Sequence, residues 1–525
     1  MITSRAVGDE SAPARRRPPP IVRRNPGAAR LARSNASRAP FHAWQHWLIW
    51  LGAALAIAAY FPRFERGAGS AVFSAAADCM LQGQTPRHCE GLVFAYPPFF
   101  ALLWTPLAQM PAPWQAVIWY LVLVGTVVAS LRLCEALMRR SFPGEWSEGE
   151  LTAFRILTFV LSLKFVLAVL ANQAYDSIAA AFIFLGLLAL INGRSLPGAA
   201  SLAAAAALKV TPVIFLPYLL FKRRFAAAAV FTIVLVVLWS LPDILLPPEA
   251  QSHIAVWLRD VVIAPFNSER GFWVSDSPMN QSFQAAIVRL FTGLHEQQPI
   301  EIVFSIMQSR SFAIALTSVM GLYILAVGCV MLKSQRHDRL IAVEGALLVV
   351  SALLLSPVSS TSHFIGLALP YSLLVAALIK DRSRRGFYSV FLLASFAMTT
   401  ATSNDLVGRS FSGWALWNSL PVLGTLILVV PLAVLIWSSR ALWKPADDRA
   451  RSAPFATAAW TAAGSANGLL RFRRRLLATS KNIAPGPSAH MPQRPAVHRS
   501  PARSERRVRS PQDQPRAPVR FRAGR

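Results

Sequence analysis

The sequence predicts an all-α integral membrane protein of about 12 helices, joined by outer-face loops and short amphipathic helices. Three observations predict it. Hydrophobic residues fill 54% of 525 positions and charged residues only 15%, a balance unlike that of water-soluble domains. Apolar runs near the ~20 residues that cross a hydrocarbon core recur along the chain. Basic clusters fall between those runs at intervals, as cytoplasmic loops do.

Taken in order, residues 1–42 carry nine Arg against Asp9 and Glu10 and are rich in Pro and Ala. Such a segment has too little apolar surface to fold and reads as a disordered basic tail. Trp44–Tyr60 follows as the first apolar run. It starts after 42 polar residues, so it is an uncleaved anchor and not a signal peptide. Further spans are expected at Phe225–Leu246, Arg310–Leu332 and Trp414–Trp437. Pro106, Pro111, Pro113 and Pro212 predict short or re-entrant helices within 97–138 and 198–220. Residues 441–525 form a second, mostly disordered basic tail, within which Leu469–Leu477 alternate with Arg and suit a short surface helix. The membrane domain therefore covers 43–440.

The net charge of +28 resides mainly in the two tails, +7 over 1–42 and +15 over 439–525. No folded basic face or aromatic interleaving accompanies it, so nucleic acid is excluded as a partner and the lipid bilayer is expected instead. Lys222-Arg223-Arg224, Lys333 to Arg339 and Lys380 to Arg385 mark cytoplasmic loops. Residues 61–96, 247–309, 356–362 and 403–412 then face outward, with both termini cytoplasmic. A bacterial plasma membrane is the expected location.

Polar residues in or beside a bilayer are costly unless paired or lining an aqueous cavity. They gather in five places: Glu65, Asp78 and Glu90; Asn172-Gln173-Ala174-Tyr175-Asp176-Ser177; Lys209 with Thr211-Pro212; Arg270, Asp276 and Asn280-Gln281-Ser282; and Ser359 to His363 with Asn404, Asp405 and Arg409. Each also has a structural reading. Asn280 and Ser282 suit a helix cap before Phe283, Lys209 suits a pairing with Asp176, and His363 suits an interfacial histidine. Most of them fall on one side of the membrane, where a single outer cavity would collect them. Cys134 and Cys329 lie in apolar runs. Cys79 and Cys89 lie ten residues apart on the first outer loop and are candidates for a disulfide. No ligand pair has metal spacing, and no cofactor is expected.

Several motifs carry a family resemblance: Tyr96-Pro97-Pro98-Phe99-Phe100, Asn172-Gln173 leading to Gly193-Arg194, and Ala206-Ala207-Leu208-Lys209-Val210-Thr211-Pro212. With Asn280-Gln281-Ser282, Ser356-Pro357-Val358-Ser359 and His363, they resemble glycosyltransferase family 87 over about residues 44–440. The resemblance implies a multi-pass helical bundle of the GT-C fold class. It further implies an enzyme that moves a hexose, mannose in this family, from a polyprenyl phosphate donor to a glycan or glycolipid acceptor at the outer face. Family members commonly carry an aspartate three residues before a Val-Tyr-like pair, where it acts as the base. Aligning that pair to Val72-Phe73 puts Gly69 at the aspartate position.

A polyprenyl phosphate leaves readily, so the chemistry needs a carboxylate to take the acceptor's proton and cations to hold the phosphate. The carboxylate candidates are Asp78, Glu65 and Asp276. Lys209, Arg270, Arg409 and His363 are candidates for the phosphate, Lys209 above all because an isolated lysine in an apolar helix calls for an anion. Gln173, Asn280 and Gln281 are candidates for sugar hydroxyls, and Asp176 and Tyr96 complete the donor site. A non-catalytic relative that binds lipid-linked glycan is the alternative. A transporter would suit an internal repeat, and none is clear.

Overall fold

The structure, a computed structural model, describes residues 57–86, 89, 94–263, 277–293, 299–332 and 338–442. The 1–42 tail, most of the Trp44–Tyr60 run, residues 443–525, Arg270 and Asp276 lie outside the described residues. All regular elements among the described residues are helices, as a bilayer demands of a chain that must satisfy its own backbone. The protein is an all-helical, multi-pass membrane protein. Six described helices are long and apolar enough to cross a membrane, and one bent pair is either a broken seventh span or a re-entrant loop.

Helical residues 57–65 lead to a short helix, α1 (Gly69–Leu81), which packs on α2 (Pro98–Ala108). The long α3 (Ala112–Ser141) starts beside Pro111 and runs to the opposite end of the bundle. There α4 (Glu148–Ala171) begins with a full capping box between Ser147 and Glu150. At the far end of α4 the chain turns at Gln173, whose φ of 52° is left-handed.

Two short helices follow, α5 (Asp176–Ile191) and α6 (Ser195–Leu208). With 16 and 14 residues they measure about 24 and 21 Å, against about 30 Å of hydrocarbon. They are spliced into the middle of the bundle by small residues. A Cβ on Gly186 would stand 2.9 Å from the Gly198 carbonyl, and one on Gly198 would stand 2.9 Å from the Gly186 carbonyl. Only glycine permits that approach, the usual device where helices meet without a hydrophobic driving force. Ala199, Ala203, Ala205, Ala206 and Ala207 extend the same close packing.

The chain then breaks at Lys209, passes through the 3-10 turn Thr211–Ile214, and continues as α7 (Phe215–Phe221) and the span α8 (Phe225–Leu245). Next come α9 (Phe283–Thr292), capped by Ser282, and α10 (Ile300–Gln308). The span α11 (Arg310–Leu332) returns the chain, and α12 (Ile341–Leu355) brings it back. Thr361–Leu367, a 3-10 turn, leads into α13 (Ala368–Lys380). The bent pair is α14 (Arg385–Thr399) and α15 (Asn404–Trp417), related by 78°. Lys164 of α4 holds the break, donating to the Thr399 carbonyl and to Thr402 Oγ1, both at 2.8 Å.

The apolar run Trp414–Trp437, expected as one span, is two elements. Helix α15 stops at Trp417, Ser419 takes a left-handed φ of 56°, and the final span starts at α16 (Leu420–Leu426) and continues as α17 (Val429–Leu442). Pro421 explains the place of the break, since proline suits the first helical turn and not a helix interior.

Contacts sort the loops to two ends. At one end, Arg224 pairs with Asp338 at 2.8 Å, Lys222 with Glu344 at 3.1 Å and Lys380 with Glu150 at 2.9 Å. At the other, the Glu249 amide donates to the Gly83 carbonyl, Trp257 to the Ala95 carbonyl, and the Gln281 amide to the Ser359 carbonyl. With the Arg63–Asp405 pair at 3.8 Å, the described parts of the four segments expected to share the outer face share one end.

Candidate active site

Helix α5 begins at Asp176 because the preceding turn cannot continue α4, and its first-turn carboxylate is favoured by the exposed amides there. Tyr175 donates to the Leu208 carbonyl at 3.1 Å, tying the start of α5 to the end of α6. Lys209 then leaves helical geometry with φ −147° and ψ 121°, which swings its side chain across to Asp176. The two form an ion pair, with side-chain exposures of 16% for Lys209 and 8% for Asp176. A third chain segment supplies His363, whose Nε2 lies 3.8 Å from Asp176 Oδ1.

The His363 ring is oriented by its own turn. The Ser360 amide faces Nδ1 at 3.3 Å. A backbone N–H can only donate, so Nδ1 accepts in this contact and a neutral ring with that bond carries its proton on Nε2, 3.8 Å from Asp176; the ring also bonds to the Val358 backbone. That ring offers a donor, not a base. The three side chains line a cavity of about 50 Å³ whose other polar groups come from Thr211, Ser356 and Ser359. Its apolar wall comes from α5, α7 and α12. This volume is about that of one or two waters.

Beside this centre, Phe73, Phe94, Phe100 and Tyr175 surround Tyr96, with ring centroids 5.0 to 6.2 Å away. Burial pushes the Tyr96 phenol up to about 12, and the nearby Asp176 carboxylate adds to the effect. It stays protonated at any physiological pH.

The remaining candidates are placed differently. Glu65 and Asp78 are exposed, and neither lines the cavity. Arg409 is exposed on α15. Gln173 is buried with both ends of its amide engaged: Oε1 accepts from the Ser70 amide at 2.6 Å and Nε2 donates to the Phe64 carbonyl at 2.8 Å. It pins the start of α1.

Asn280 likewise serves the backbone. Its Nδ2 donates to the Pro357 carbonyl and its Oδ1 accepts from the Ser359 amide, both at 2.9 Å. Gln281 Nε2 donates to the Pro278 and Leu416 carbonyls at 2.7 and 2.9 Å. Asn280, with the Gln281 backbone amide that donates to the Ser359 carbonyl, holds the 357–359 turn that precedes His363. Arg289, fully buried, supports the same loop by donating to the Ser277 and Asn280 carbonyls and to Ser419 Oγ. Sequence reasoning missed Arg289. Its signal was a single cation within the strongly amphipathic α9.

Cys79 and Cys89 are disulfide-bonded, with Cα atoms 6.4 Å apart. At Gly69, a Cβ would stand 2.7 Å from the Asn172 carbonyl and 2.9 Å from Gln173 Cβ. Among the described residues, no cluster of three His, Cys, Asp or Glu has metal-binding geometry.

Comparison with known proteins places these elements in context. Residues 94–357 match glycosyltransferase family 87, half of the chain and the whole run from Tyr96 through Lys209 to the 357 turn. The chain belongs to glycosyltransferase family 87. One curated relative is the polyprenol-phosphate-mannose-dependent alpha-(1-2)-phosphatidylinositol pentamannoside mannosyltransferase of Mycobacterium tuberculosis, 27% identical over 287 residues. The alignment covers 54% of this chain and 58% of that relative's length. In this family-87 chain, Asp176, Lys209 and His363 are brought to one cavity by three segments far apart in sequence.

Proposed function

We propose that this chain is a membrane glycosyltransferase. It takes a hexose, mannose on the analogy of its mycobacterial relative, from a polyprenyl phosphate donor and places it on a glycan or glycolipid acceptor at the outer face. The observation that carries this reading is the convergence of Lys209, His363 and Asp176 on one cavity at a helix break within the bilayer domain. A lysine ammonium and an Nε2–H donor are what a departing phosphate oxygen requires, and fixed donors of this kind act without reorganisation. Asn280 and Gln173 hold the turns that carry these groups, with both ends of each amide bonded to backbone; Gln281 Nε2 is bonded likewise, while its Oε1 is buried without a partner among the described residues.

Sidedness is supported by charge. Lys222-Arg223-Arg224, Arg339 and Lys380 to Arg385 occupy the end opposite the cavity, and basic loops stay cytoplasmic. A disulfide at the cavity's end suits an oxidising compartment. On this reading both termini are cytoplasmic and the enzyme sits in a bacterial plasma membrane.

The test is transfer of radiolabelled mannose from polyprenyl-phosphate-mannose to endogenous lipid acceptors in membranes containing the protein. Lys209→Ala is expected to reduce transfer roughly 100- to 1,000-fold, the usual cost of one preorganised charge-stabilising donor. Lys209→Arg retains part of it. Transfer by Lys209→Ala at the wild-type rate would defeat the assignment. A second reading, a protein that binds lipid-linked glycan without turnover, is favoured by the crowded Gly69. It predicts retained donor binding and no transfer in the wild-type protein.

A further inference from the structure

The place of the family's aspartate is closed in this chain. Gly69 abuts the Asn172 carbonyl and Gln173 Cβ, and the next amide, that of Ser70, is already bonded to Gln173 Oε1. The first outer loop therefore supplies no carboxylate from that position. Asp78 and Glu65 are exposed and do not line the cavity. Among the described residues, the one carboxylate that lines it is Asp176.

Resting on the donor reading above, we infer that Asp176 is the catalytic base, and that Lys209 is shared between it and the donor phosphate. In the structure the ammonium is paired with the carboxylate, and the cavity has room for little more than a water or two. The donor is a singly charged phosphodiester. When its phosphate enters, it draws Lys209 and the His363 Nε2–H toward itself and loosens the ion pair. The Asp176 carboxylate is then left facing the acceptor.

The step balances. The acceptor hydroxyl oxygen bonds to the anomeric carbon, the bond from that carbon to the phosphate oxygen breaks, and its electron pair leaves on polyprenyl monophosphate. The hydroxyl proton passes to an Asp176 oxygen. Neutrality of the resting Lys209–Asp176 pair keeps the carboxylate masked until a donor is present.

The proposal separates binding from chemistry. Asp176→Asn keeps a hydrogen-bonding side chain, and its turnover is expected to fall 100-fold or more, the lower range for a positioned general base. Binding of polyprenyl phosphate, the probe, stays within about threefold of wild type. Asp176→Glu keeps the ion pair but displaces the carboxylate, so it too binds the probe and turns over about 100-fold slower. It also covers the case in which the Asn variant fails to fold. Loss of probe binding along with turnover in both variants would reduce Asp176 to a positioning role. Full turnover in either variant, or loss of turnover confined to Asp276→Asn, overturns the proposal. If the wild-type protein transfers no sugar while binding the probe, the donor-transfer reading itself has failed.

Discussion

Replacing Gly69 by alanine adds one carbon at a point where the nearest atoms are the Asn172 carbonyl oxygen at 2.7 Å and Gln173 Cβ at 2.9 Å. Ordinary contact distances begin near 3.4 Å, so something must move by about half an ångström. The obstacle is backbone, at a turn whose Gln173 has a φ of 52° and bonds to the Ser70 amide and the Phe64 carbonyl. Overpacking of this kind costs about 1–3 kcal/mol. Losing the Gln173–Ser70 hydrogen bond adds about 1 kcal/mol, and the better helix propensity of alanine returns up to about 1 kcal/mol. The net is a loss of about 1–3 kcal/mol.

At about 2–4 °C per kcal/mol for a chain of several hundred residues, the melting temperature of the detergent-purified protein falls by about 3–10 °C. Tryptophan fluorescence during a thermal ramp measures it. Gly125→Ala, on a helix face where a Cβ meets nothing within 4 Å, is the control and shows no loss. Gly69→Asp suffers the same loss or more and gains no transfer activity. A stable Gly69→Ala, or a Gly69→Asp that transfers faster than wild type, refutes the claim that the family's aspartate has no place here.

Two further outcomes follow from buried groups. Glu344→Gln removes the carboxylate lying 3.1 Å from Lys222 and 2.5 Å from the Tyr218 hydroxyl, in a pair with side-chain exposures of 2% or less; breaking such a pair costs about 3–5 kcal/mol, so a melting temperature within 1 °C of wild type contradicts it. The KM for donor should be unaffected, because the pair sits at the far end from the cavity. Tyr96, raised from 10.0 to about 12 chiefly by burial, binds its proton more tightly when folded. Its contribution is therefore complete below pH 10 and lost between pH 10 and 12, about 3 kcal/mol in all. Tyr96→Phe should flatten the alkaline fall in stability measured by pH-dependent unfolding, and an unchanged curve rejects the assignment.

Much of the fold was legible because hydrophobicity alone marks a span. Phe225–Leu245 and Arg310–Leu332 follow the apolar runs almost to the residue. The break within 414–437 was harder, since hydropathy does not register the left-handed Ser419, although Pro421 was a cue. The Lys209–Asp176 pair was readable for the same reason that spans are: a charge amid alanine and leucine has few partners. The amides of Gln173, Asn280 and Gln281 were not. An amide looks alike whether it meets a sugar hydroxyl or a carbonyl of its own chain, and the backbone bonds of Gln173 and Asn280 at the turns 172–173 and 357–359 emerge only in the fold.

The shortness of α5 and α6 has a consequence for the substrates. Their basic-side ends are anchored near Arg194, where Arg224 reaches the Leu190 carbonyl and Ser195. Helices of about 24 and 21 Å rising from that boundary end about 6–9 Å below the opposite edge of a 30 Å hydrocarbon layer. Asp176 and Lys209 stand at those ends, at the floor of a depression and not on its rim. On the proposed function, a lipid phosphate must sink to reach them, and an acceptor must lower its sugar after it. Freely dissolved glycans are poorly suited to that descent, whereas an acceptor carrying its own membrane anchor is delivered close to the required depth.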